Sequence, residues 1–168
     1  MAGPGFITHN HYAAFGRIVQ AFVTVETVYV ELLQRILEIQ SHAAALVFSA
    51  YGYDAIKNLL KAAITESNQS EEDKVSGIKL IDKVHDKSNL RNNIAHNSWK
   101  PGRREGSIKP LVLKTKGSVL MLGTGHNEKD WTAKELHSEA EEILARVIRV
   151  ADFFADRGIT ISAEDAND

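Results

Sequence analysis

The chain of 168 residues has no cysteine. That excludes a disulfide scaffold, a cysteine zinc site, a thiolate nucleophile and an iron–sulfur cluster. It also lacks an excess of charge of either sign. Lysine and arginine number 20, aspartate and glutamate 22, and the formal net charge is −2. A histone-like polycation and a highly acidic solvating chain are both excluded on that balance. No long unbroken apolar run is present. The most apolar stretch, Ala13 to Val30, is interrupted by Arg17, Gln20 and Glu26 and reads as too broken for a membrane span. The start, MAGPGFITHNHY, is polar and glycine-rich, without the charged beginning and apolar stretch of a signal peptide. The reading is a soluble, cytoplasmic, single domain over residues 1–168. A chain of this length can bury a core without a staple.

Familiar catalytic motifs are missing too. There is no HExxH, no phosphate loop, no GxGxxG and no GxSxG. Gly123-Thr-Gly125 reads as a turn. His9 and His11 form an HxH pair without a third ligand at sensible spacing, and read as exposed polar residues near a helix start. No metal or other cofactor is called for.

What is present is mostly helical periodicity. Phe15, Ile18, Val19, Phe22, Val25, Tyr29, Leu32, Leu33 and Ile36 recur at three- and four-residue spacings, which predicts a long first helix over about 8–40. Shorter helices are expected over about 42–49 and 51–64. A fourth is expected over about 71–97, with Glu71, Glu72 and Asp73 at its positive end and Pro101-Gly102 stopping it. Ile108–Thr115 and Val119–Gly123 flank Lys116-Gly117-Ser118 and predict a hairpin insertion over about 106–124. Pro110 suits only an edge position there. Thr132-Ala-Lys-Glu135 is a capping box opening a last helix that ends near Gly158. The acidic tail, about 160–168, is expected to be frayed and flexible. The fold class is mainly α: four to five helices with a small β-hairpin before the last one.

One segment gathers chemistry: Leu90-Arg-Asn-Asn-Ile-Ala-His-Asn-Ser-Trp99. Asn92 and His96 lie four apart, on one helical face. Arg91 is five from His96, about 140° around an ideal helix, so a long side chain or a loosened last turn is needed for the two to meet. An imidazole moves protons near neutrality. A guanidinium grips phosphate in a bidentate fork. An amide can orient the imidazole. Together they suit cleavage of a phosphodiester, where charge builds on non-bridging oxygens. In RNA the neighbouring 2′-hydroxyl supplies the nucleophile. The plainer alternatives are an Arg91–acid pair and a His96 that answers the helix dipole.

Arg91-Asn92-Asn93-Ile94-Ala95-His96 resembles the signature of the HEPN superfamily: an arginine, a polar residue after it, and a histidine after four to six intervening residues, near the end of a late helix in a four- or five-helix bundle. The hairpin is a departure from the minimal bundle. The resemblance implies a metal-independent endoribonuclease, of the kind found among toxins and host-defence nucleases, working as a homodimer with a composite active site. It implies His96 as general acid or base, Arg91 on the phosphorane charge and Asn92 orienting His96. The implied products are a 2′,3′-cyclic phosphate and a 5′-hydroxyl. RNA is the implied substrate, an antitoxin or other partner protein a further expectation, and a membrane none. Some members of the superfamily are inactive and bind nucleotides, RNA or proteins instead.

Neighbouring residues extend this expectation. Lys100, Arg103 and Arg104 can hold phosphates, and Trp99 can stack a base or sit in the core, where large aromatics are usually found. Glu26 interrupts the apolar first helix and needs a partner if buried, either Arg91 or His96 or one elsewhere. His85, about three turns from His96 on one continuous helix, reads as structural. Split along the chain, the charge changes meaning. Residues 1–99 carry 9 basic and 10 acidic side chains, 100–116 carry 6 and 1, and 117–168 carry 5 and 11. A basic stretch begins directly after His96, as expected of a chain with one phosphate-facing side.

Overall fold

A computed structural model describes residues 6–116, 119–123 and 129–159. Among these residues there are six helices and four short strands: α1 (His9–Leu37), α2 (Ser41–Phe48), α3 (Tyr53–Glu66), α4 (Glu71–His85), α5 (Ser88–His96), β1 (Ser98–Pro101), β2 (Ser107–Lys116), β3 (Val119–Gly123), β4 (Trp131–Thr132) and α6 (Ala133–Ala155). The fold is mainly helical with a small antiparallel sheet. Of the turn read at Gly123-Thr-Gly125, Thr124 and Gly125 lie outside the described residues, as does the tail from 160.

The chain divides into two compact units, one from Met1–Ala21 with Lys87–Glu142 and one from Phe22–Asp86 with Ile143–Asp168. In the first unit α1 opens on an unforeseen cap. The Thr8 amide and hydroxyl meet His11 Nδ1 at 3.2 and 2.8 Å. His11 is only 2% exposed. The expectation of an exposed histidine is corrected: here the imidazole does the work of the glutamate in a capping box, and burial follows from that inward reach.

The sheet belongs to this unit. β2 pairs antiparallel with β1, β3 and β4, with β3 next to β2 on the side away from β1. The expected hairpin is β2–β3, paired from Val112↔Gly123 to Lys116↔Val119. Pro110 stands opposite Trp99 on β1. On the other side it falls between the stretch paired with β4 and the stretch paired with β3. Its missing N–H therefore costs no ladder bond. The strands β1 and β4 were not expected, because four- and two-residue elements carry too little alternation to register. α6 opens as expected: Glu135 N–H donates to Thr132 Oγ1 at 3.3 Å, and Thr132 N–H donates to Glu135 Oε2 at 2.8 Å.

In the second unit the buried side chains include Phe22, Val25, Tyr29, Leu32, Leu60, Ile64, Ile81, Val84, Val147 and Phe154. Ser70 caps α4, accepting from Asp73 N–H at 3.1 Å. Gly77 permits a close approach: a Cβ there would lie 2.8 Å from the buried Phe154 ring. α1 ends three residues earlier than expected because Glu38 turns to φ 53°, and Ile39 N–H bonds back to the Gln34 carbonyl at 3.0 Å. As one unbroken helix α1 is long and apolar enough, by length and composition, to cross a membrane. A helix that buries residues in a protein core passes the same test, and α1 buries Ala14 and Ile18 in the first unit and Val25 and Leu32 in the second.

Candidate functional site

The fourth expected helix is two helices. α4 stops at His85 and α5 starts at Ser88, with Lys87 at φ −88°, ψ −9° between them. The apolar rhythm Ile78, Ile81, Val84 lapses at this point. The next inward position is the buried Ser88, and Leu90 resumes the stripe. Lys87 anchors the new helix start. Its Nζ donates to Glu139 Oε2 at 2.6 Å and to Glu142 Oε2 at 3.0 Å, both on α6.

α5 carries the whole Arg91–His96 segment. Arg91 is half-buried, and its Nη1 donates to Asn92 Oδ1 at 3.2 Å. Arg91 has a further interaction beyond that one. Asn92 is exposed, and its carbonyl oxygen is committed to Arg91 rather than to His96. His96 is exposed and is the last residue of α5. Among the described residues it has no hydrogen bond or ion pair. Its place in the last turn lets its charged form answer the helix dipole.

The last turn is clamped by residues that sequence reasoning passed over. Asn97 caps α5: its N–H donates to the Asn93 carbonyl at 3.1 Å and its Nδ2 to Asn93 Oδ1 at 2.7 Å. An asparagine directly after the last periodic residue was the available signal. The clamp keeps the turn helical through His96. Arg91 and His96 therefore leave the axis about 140° apart, and loosening of the turn does not bring them together.

The remaining expected residues separate into two kinds. Trp99 is 8% exposed and its ring lies 4.8 Å from that of Phe15. Burial corrects the base-stacking alternative: Trp99 is a core residue. Arg104 is also corrected as a free phosphate ligand. Its guanidinium forks onto Glu135 at 2.9 and 2.8 Å and also donates to the Asp130 carbonyl. The Glu135 hydrogen bond raises the Arg104 pKa. In return the bond from Arg104, with those from Thr132, holds the Glu135 carboxyl down at about 2. Arg103 uses its main-chain N–H on Asp130, while its side chain is exposed. Lys100 is half-buried on β1. Glu26 is half-buried in the second unit, where its charge helps raise the Tyr53 phenol, itself raised first by burial. His85 meets Lys57 Nζ through Nε2 at 3.3 Å and stacks on Tyr53, consistent with a structural part. No group of side chains among the described residues is arranged to hold a metal ion. Compared with protein-family models, curated proteins and solved structures, the chain matches none.

Proposed function

We propose that the chain is a HEPN-like endoribonuclease that cleaves RNA by attack of the 2′-hydroxyl on the adjacent phosphodiester. The observation that carries the reading is the exposed His96 at the clamped end of α5, with Arg91 and Asn92 joined to each other on the same helix. In this reading His96 moves the proton and Arg91 stabilises the charge on the phosphorane oxygens. Asn92 holds Arg91 in place of orienting His96. The angular separation of Arg91 and His96 on an intact helix supports a shared site, completed by the same segment of a second copy.

The test is RNA cleavage in EDTA by the wild type, His96→Ala and Arg91→Ala. Loss of a proton carrier removes about 10²–10⁴-fold in rate, and the expected products are a 2′,3′-cyclic phosphate and a 5′-hydroxyl. Equal cleavage by all three proteins, or none by the wild type on varied RNAs, overturns the proposal. A second reading, an inactive module of the same fold that binds RNA or nucleotide, is favoured by one observation. Nothing among the described residues fixes the tautomer of His96, a role that a catalytic imidazole usually assigns to a neighbour. Retained RNA binding without strand scission selects it.

A further inference from the structure

Lys100 on β1 stands directly opposite Lys109 on β2. Side chains directly opposite in an antiparallel pair project to the same face, and like charges there destabilise the pair. The adjacent pair, Trp99↔Pro110, points the other way and is buried. The side chains of Lys100 and Lys109, both half-buried, therefore share the opposite face, beside exposed Ser98 and half-buried Leu111, which are also opposite each other.

Three nearby cations have partners within the fold, while the Arg103 side chain is exposed on the turn between the strands. Arg104 is on Glu135, Lys87 is on Glu139 and Glu142, and Lys129 lies over the Trp131 ring at 3.9 Å. Lys100 and Lys109 differ: among the described residues neither has a hydrogen bond or ion pair. Main-chain register holds two like charges side by side with no acid between them. An anion bridging them removes the repulsion and uses ammonium groups as point-charge phosphate donors.

We propose that this face of β1–β2 binds the phosphate backbone of single-stranded RNA, with Lys100 and Lys109 straddling one phosphate and Ser98 beside it. The choice of RNA rests on the reading of the α5 segment given above. β1 begins two residues after His96, and the four residues from His96 to Lys100 span at most about 14 Å. A strand bound at His96 thus reaches this face within a few nucleotides. The face presents no aromatic ring, since Trp99 points into the core. It reads charge and not bases, so binding is tolerant of sequence and strongly dependent on salt.

The experiment measures binding of a fluorescent 2′-O-methyl RNA oligonucleotide, which cannot be cleaved through the 2′-oxygen, by anisotropy across a salt series. The proteins are the full chain and its Lys100→Gln/Lys109→Gln and Lys109→Glu variants. Loss of the one phosphate that the two lysines share is expected to reduce the slope of log K against log salt by about 0.7, the value for one phosphate on a single strand. Affinity at low salt is expected to fall roughly tenfold or more. Lys109→Glu places an acid opposite Lys100, so its thermal midpoint is expected to hold or rise while RNA affinity falls. Unchanged affinity and slope in the double variant overturn the proposal. So does a fall in midpoint that accompanies the loss of binding, since the pair would then serve the fold. Natural RNA assayed in parallel separates the two readings. Lysine-dependent binding without cleavage overturns the nuclease and leaves this face standing. His96-dependent cleavage with binding indifferent to both lysines does the reverse.

Discussion

Lys87→Met tests whether the anchor of α5 is electrostatic. Methionine keeps most of the aliphatic stem and removes only the ammonium, which in the wild type donates to Glu139 at 2.6 Å and Glu142 at 3.0 Å. The side chains of Lys87, Glu139 and Glu142 are 19%, 14% and 43% exposed. Exposed pairs contribute about 0.2–1 kcal/mol, and breaking a fully buried pair from one side costs about 3–5 kcal/mol. Lys87–Glu139 lies between these limits, and the more exposed Glu142 adds little. The expected loss is therefore about 2 kcal/mol, or about 4–8 °C in a chain of this size. Circular dichroism melts at neutral pH read it directly. Most of the loss comes from stranding Glu139, so Lys87→Met/Glu139→Gln is expected to recover much of it.

The same pair makes a statement about pH. Burial by itself would lower the Lys87 pKa, but the hydrogen bonds it donates to Glu139 and Glu142 outweigh it and hold the value above the usual 10.5. A raised lysine contributes stability that is complete below the unfolded value and lost as pH rises through the folded one. The gap between wild type and Lys87→Met is therefore expected to stay flat through neutral pH and to close only above about pH 10.5. A loss below about 0.5 kcal/mol, or effects of Lys87→Met and Glu139→Gln that simply add, refutes the anchor. Amide exchange across α5 then reports whether the motif helix loosens with it.

Gly77→Ala drives a methyl group to 2.8 Å from the fully buried Phe154 ring. It is expected to cost about 1–3 kcal/mol by overpacking, read from the urea midpoint; a neutral or stabilising result would show that α4 and α6 yield easily there. Glu135, held at about 2 by Arg104 and Thr132, gives the opposite pH sign to Lys87. Its contribution is present above the unfolded value of 4.5 and lost as pH falls toward 2. Melting points of wild type and Glu135→Gln should differ above pH 5 and converge below it, and a constant difference down to pH 2 would contradict the pairing.

Helix existence was legible in the sequence because three- and four-residue spacing reports a buried face directly, and the capping box at Thr132 located the start of α6 within one residue. The break between α4 and α5 was not legible. Serine at 88 is as compatible with an exposed helical site as with a buried one, and the partners that hold Lys87 at the break lie 52 and 55 residues away. His11 was misplaced for a related reason: histidine is not the usual third residue of a capping box, so the reciprocal bond to Thr8 had no pattern to announce it. Within the motif, residue types and spacing were visible. The commitment of Asn92 to Arg91 was not, because neighbours in sequence on a helix do not ordinarily face each other.

The basic stretch after His96 shows most clearly what folding adds to composition. Counted along the chain, Lys100, Arg103, Arg104 and Lys109 are equivalent positive charges. In the fold they are not. Arg104 is spent on Glu135, 31 residues away, and its charge serves the start of α6. Arg103 stands on an exposed turn, where holding a ligand costs the rotamer entropy of ordering its long side chain. Lys100 and Lys109 are set opposite each other by a register that Trp99 and Pro110 fix from the buried side. Slipping the pairing by one residue would exchange the faces, exposing Trp99 and burying lysine, so the core that hides the tryptophan also holds the two charges together. The phosphate contact proposed for this chain is therefore placed on the strand pair rather than on the loop, and disturbing the packing of Trp99 against Phe15 is expected to weaken it.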